Sequence, residues 1–124
     1  MIAPDKTNNT DILRESVAYL QGHGFEHIKA DVDGFETPTS YHKKDSDVVI
    51  TPDIVAEHHG KKHYFDISIK SQEPNLLKSK WKFLETLSRI KGHHFRIITS
   101  KGHYKFTREM LQGINLDKEP IKLS

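Results

Sequence analysis

Two short runs, Thr51-Pro52-Asp53-Ile54-Val55-Ala56 and Tyr64-Phe65-Asp66-Ile67-Ser68-Ile69-Lys70, constrain this chain more than any other stretch. In the second run apolar and polar residues alternate. Phe65, Ile67 and Ile69 share one face of an extended strand, and Asp66, Ser68 and Lys70 share the other. The intervening Glu57-His58-His59-Gly60-Lys61-Lys62-His63 closes the two runs into a hairpin. A turn centred on His59-Gly60 sets Asp53 directly opposite Asp66, with Cβ atoms about 5 Å apart. Centred on Gly60-Lys61, the turn sets Ser68 opposite Asp53 instead. Like charges so placed weaken a sheet unless a cation sits between them. Both registers keep one carboxylate and Lys70 on a single face.

A chain of 124 residues fits one domain and buries a core without covalent staples. The absence of cysteine excludes a disulfide framework, a thiolate zinc site and a cysteine nucleophile, and it suits a reducing compartment. No apolar run reaches the ~18 residues of a membrane span, and Met1 to Asn9 is polar, unlike a signal peptide. The expectation is a soluble cytoplasmic protein with no membrane partner. A net charge of +2 hides an asymmetry: residues 1–66 carry 7 Lys/Arg against 12 Asp/Glu, and residues 67–124 carry 12 against 5. Such a split suits a protein that holds a divalent cation with one set of residues and a polyanion with another.

Residues 1–10 read as a disordered arm, and Thr10 or Asp11 caps a helix through about Gln21, striped by Leu13, Val17 and Leu20 and ended by Gly22 and Gly24. Phe25 to Val32 reads as a strand and Asp33-Gly34 as a turn. Residues 34–46 read as a mobile loop, and the hairpin spans about Asp47 to Lys70. Pro74 opens a helix to Lys91 with Leu77, Trp81, Leu84, Leu87 and Ile90 on its apolar side and Gly92 as its stop. His94 to Thr99 reads as a further strand, Thr107 to Leu111 as a short helix, and residues 113–124 as a tail, leaving a domain over residues 11–112. The order α-β-β-β-α-β-α contains a β-α-β crossover, so an α/β fold with a mixed central sheet flanked by helices is expected. The nine histidines lack the helical spacing of a zinc protease, and His58, His59, His63, His93 and His94 read as solvated side chains.

These residues, in this order, resemble the PD-(D/E)XK nuclease superfamily, most closely the small archaeal Holliday-junction resolvases and VRR-NUC-type domains. The likeness covers about residues 11–100. Glu15 matches the family's acidic residue on the first helix, Pro52-Asp53 its Asp after Pro, and Lys70 the lysine of its acidic-x-Lys triplet. Ser68 stands where that triplet's acid is expected, and Asp66, one pleat earlier on the same face, substitutes for it. Lys80 stands where the family's next helix sends a polar residue to the site. The resemblance implies a restriction-endonuclease-like αβββαβ core and divalent-metal-dependent cleavage of DNA, with a preference for particular DNA structures as in the resolvases.

The chemistry of phosphodiester hydrolysis leads to the same residues. It requires charge on the phosphate to be neutralised and a water to be activated near neutral pH, and hard carboxylate oxygens suit Mg²⁺, or Mn²⁺ in its place. Asp53 and Asp66 are the expected metal ligands, with Glu15 completing the shell, and Lys70 is the expected fixed cation beside the attacking water. Lys43, Lys44, Lys78, Lys80, Lys82 and Arg89 are candidates for DNA phosphate contacts. Duplex cleavage needs two sites, so a homodimer is expected. Two other readings remain open: a decayed DNA-binding or assembly module of the same fold, and a nuclease subunit of a recombination or transposition complex.

Overall fold

Positive φ at two successive residues, His59 (53°) and Gly60 (78°), makes the tight two-residue turn that joins β4 (Ile54–His58) to β5 (Lys61–Ser68). In the computed structural model of the chain, residues 4–70 and 72–123 are described. The turn fixes an antiparallel register of Ile54 opposite Phe65 and Val55 opposite Tyr64. One further step along that ladder sets Asp53 opposite Asp66, the first of the two registers open in the sequence.

The whole order is α1 (Pro4–Gly22), β1 (Glu26–Ala30), β2 (Tyr41–His42), β3 (Val49–Ile50), β4, β5, α2 (Pro74–Lys91), β6 (His94–Ser100), α3 (Tyr104–Gly113) and β7 (Ile121–Leu123). Five strands form one mixed sheet, ordered β1-β4-β5-β6-β7, and β2 pairs with β3 as a separate ribbon. β1, β4 and β5 run antiparallel as a meander, and β5, β6 and β7 run parallel. Both parallel steps go in the same direction across the sheet. Right-handed crossovers therefore place α2 and α3 on one face, leaving the other to α1.

The burial pattern follows these layers. Val17 and Leu20 of α1 pack on Ile54, Phe65, Ile67 and Ile98, while Trp81 and Leu84 of α2 and Met110 and Leu111 of α3 pack on Val55, Tyr64, Phe95 and Ile97. Alternate residues of β5 thus enter opposite cores, as its period-two pattern requires. Pro74 supplies a pre-set φ in the first turn of α2, and Gly92, at φ 71°, ends it in the left-handed conformation.

Several boundaries differ from the sequence reading. The first helix begins at Pro4 rather than at Thr10 or Asp11, so only Met1 to Ala3 of the expected arm lie outside the described residues. The loop over residues 34–46 carries a strand, because Tyr41 and His42 pair with Ile50 and Val49. The third helix extends to Tyr104 and Gly113, and the tail contributes β7, whose Ile121 and Leu123 are buried beside β6. Ile90, expected on the apolar side of α2, is 77 % exposed. These two faces of α2 give a direct test. Leu84→Ala should cost about 2–5 kcal/mol in denaturant unfolding, and Ile90→Ala should stay within about 0.5 kcal/mol of wild type.

Candidate active site

Strand parity and the turn bring Asp53, at the entrance to β4, and Asp66, inside β5, to the face covered by α2. There they meet a lysine, and it is Lys80. Its Nζ lies 2.8 Å from Asp66 Oδ1 and 3.8 Å from Asp53 Oδ1. The other oxygen of each carboxylate is fixed by the protein: Asp53 Oδ2 accepts the Ile67 N–H at 2.8 Å, and Asp66 Oδ2 accepts the Trp81 indole N–H at 2.8 Å. Asp66 is fully buried, whereas the Asp53 side chain is 36 % exposed. The cluster thus opens to solvent on the Asp53 side.

Burial pushes the Asp66 carboxyl up to about 8, with Asp53 adding to the shift and Lys80 opposing it. For Lys80, burial works against the charge, but Asp66 and Asp53 outweigh it and hold the ammonium above its ordinary pKa. Two carboxylates facing one ammonium leave one negative charge in excess when all three are ionised. A proton or a second cation can compensate that excess.

The donor set can be tested against a divalent cation. Asp66 Oδ1 is buried without an aligned hydrogen-bond donor, and with Asp53 Oδ1 it converges on the Lys80 ammonium. Two hard oxygens directed at one point, open to water on one side, fit Mg²⁺, which takes one or two carboxylates and retains waters or phosphate oxygens elsewhere. Among the described residues no group of three or more His, Asp or Glu side chains is placed to hold a metal. Glu15 is exposed on α1, which packs on the sheet's other face, so the expected three-acid set of Asp53, Asp66 and Glu15 is not assembled.

The remaining sequence candidates are dispersed. Lys70 lies beyond the end of β5 and is exposed, and its backbone N–H is bound to His103. Lys43 and Lys44 are exposed between β2 and β3, and Lys82 is exposed on α2. Lys78 is half-buried, its Nζ near Gly113 at the end of α3. Arg89 pairs with the buried Glu85 at 3.0 Å, and Lys118 meets the same carboxylate at 2.9 Å. Two features escaped the sequence reading: the Trp81 indole as a partner of Asp66, and a buried group of hydroxyls at the end of β5. In that group Thr107 Oγ1 lies 2.6 Å from Ser68 Oγ and 2.8 Å from Thr99 Oγ1.

His58, His59, His63 and His94 gather at the opposite end of the sheet. His63 stacks on His94 at 4.7 Å, and Phe25 stacks on His58 at 4.6 Å and meets His63 edge-on at 5.2 Å. Compared with known proteins, the chain matches no family model, no curated protein and no solved structure.

Burial lowers the His63 pKa against a hydrogen bond to the Lys61 carbonyl that raises it, and His94, Arg96 and His58 lower it further. A histidine whose folded pKa lies below its unfolded value contributes stability above about pH 6.5 and loses it as pH falls through the folded pKa. Stability measured from pH 8 to pH 5 should therefore fall less steeply in His63→Phe than in wild type.

Proposed function

We propose that this chain is a divalent-metal-dependent DNA endonuclease with a restriction-endonuclease-like core, in which Lys80 takes the part that the linear motif offers to Lys70. The observation that carries this reading is the convergence of Asp53 Oδ1 and Asp66 Oδ1 on one solvent-reachable cation position. The meander β1-β4-β5 followed by the α2 crossover to parallel β6 supports it, being the αβββαβ order of that core with the β2–β3 ribbon inserted.

Each protein group then has a role set by its surroundings. The Ile67 N–H and the Trp81 indole hold the two carboxylates by their outer oxygens, so the inner oxygens are pre-aimed. Bound between them, Mg²⁺ or Mn²⁺ would neutralise phosphate charge and acidify a water. Lys80 Nζ holds that position in the structure and would yield it to the metal; still rooted on α2 beside the two carboxylates, its ammonium supplies a positive charge that stabilises negative charge developing on the phosphate. Lys43, Lys44 and Lys82 offer phosphate contacts independent of base sequence. Two copies would supply the two sites that duplex cleavage requires.

Full burial of Asp66 favours a second reading, a DNA-binding module of the same fold without turnover. Incubation with linear, single-stranded and branched DNAs in Mg²⁺, Mn²⁺ or EDTA separates the two: cleavage confined to the metal arms supports the nuclease, and binding without cleavage in every arm supports the module. In the nuclease, Asp53→Asn and Lys80→Ala should each lower cleavage at least ~100-fold, and Lys70→Ala far less. Lys80→Met should bind Mn²⁺ at least as tightly as wild type by calorimetry, since ammonium and metal compete for the same two oxygens. Full cleavage by Lys80→Ala would reject the assignment of the lysine.

A further inference from the structure

At the end of β5 that carries the carboxylates, an imidazole is held with unusual care. His103 Nδ1 accepts the backbone N–H of Lys70 at 2.9 Å. The backbone N–H of His103 donates to the Ser100 carbonyl at 3.0 Å, and its backbone carbonyl accepts the Thr107 N–H at 2.9 Å. The Thr107 hydroxyl lies 2.8 Å from that same carbonyl and within hydrogen-bond reach of Ser68 and Thr99. Ser68, Thr99 and Thr107 are all buried. The start of α3 is thereby tied to the ends of β5 and β6 by polar groups that only mutual hydrogen bonding makes tolerable inside a core.

The tie also decides the proton on the ring. A nitrogen that accepts a backbone N–H has its lone pair engaged, so the neutral ring carries its hydrogen on Nε2. Among the described residues Nε2 has no hydrogen-bond partner, and His103 is only half-buried. The result is a pre-oriented neutral donor beside Lys70, whose side chain is exposed. Ser68 belongs to this arrangement: a carboxylate there would meet the Thr107 hydroxyl inside the core.

We propose that His103 is a substrate-positioning residue that donates from Nε2 to a phosphate oxygen of the DNA strand lying beside the carboxylate pair. This rests on the nuclease reading for the identity of the ligand. A neutral donor adds affinity through a hydrogen bond to a charged oxygen but releases no counterion, whereas a lysine does both. His103 should therefore differ from its neighbour Lys70 in the salt dependence it imparts.

The test is His103→Asn, whose side-chain oxygen can still accept the Lys70 N–H while the Nε2 donor is gone. Affinity for a short DNA duplex in Ca²⁺ should fall about tenfold at every salt concentration with an unchanged salt slope. Lys70→Met should instead lower the slope by about one unit. Wild-type affinity in His103→Asn overturns the proposal, as does a reduced slope. If the variant does not fold, the wild-type ring serves: on adding the same duplex, the His103 Nε2 proton should become protected from exchange by NMR, and an unprotected proton overturns the proposal. Wild-type protein that does not bind DNA would count against the nuclease reading itself, and the His103 proposal would fall with it.

Discussion

The register between β4 and β5 is the constraint from which the rest follows. Left-handed conformations at His59 and Gly60 close the ladder with His58 opposite Lys61, and every later pair inherits that choice. A slip by one residue would turn Asp66 toward α1 and Phe65 toward α2, reversing the side chains of both cores together. Because Phe65 and Tyr64 are both fully buried, each against a different helix layer, the alternative register has no place to put either ring.

The charged cluster at the far end of that hairpin is stabilising only as a unit. Removing one partner from a buried ion pair strands the other in a medium that solvates it poorly. Lys80 reaches Asp66 from a helix that is itself anchored by Trp81 and Leu84, so the same packing that stabilises α2 sets the position of the ammonium. Trp81 joins both functions, filling the core with its ring and holding Asp66 with its N–H. Fold and site share residues here rather than lying side by side.

Much of the fold was legible because its signals were local. The apolar stripe and end signals gave the bounds of α2, Pro74 to Lys91, and the alternation of Phe65, Ile67 and Ile69 gave the faces of β5. β7 was not legible: Ile121-Lys122-Leu123 is too short to show a period, and its burial depends on the neighbouring β6. For the site, Asp53 opposite Asp66 followed from turn position alone. Lys80 was legible, through the resemblance, as the helix residue sent toward the site, but not as the partner of Asp66, since that approach depends on how far α2 is rotated over the sheet. Lys70 carried the stronger linear signal, but the alternation that aimed it ends with β5 at Ser68. Ser68 looked like a missing acid in the sequence and is instead a buried hydroxyl against Thr107.

The outermost strand β1 has a consequence for how copies of this chain can meet. It is interrupted by a register shift between Glu26 and Lys29, with His27 at φ 51°. The bulged border at β1 offers little continuous ladder for another molecule's strand to extend. That edge of the sheet is thereby blunted against growth by addition of a neighbouring molecule's strand.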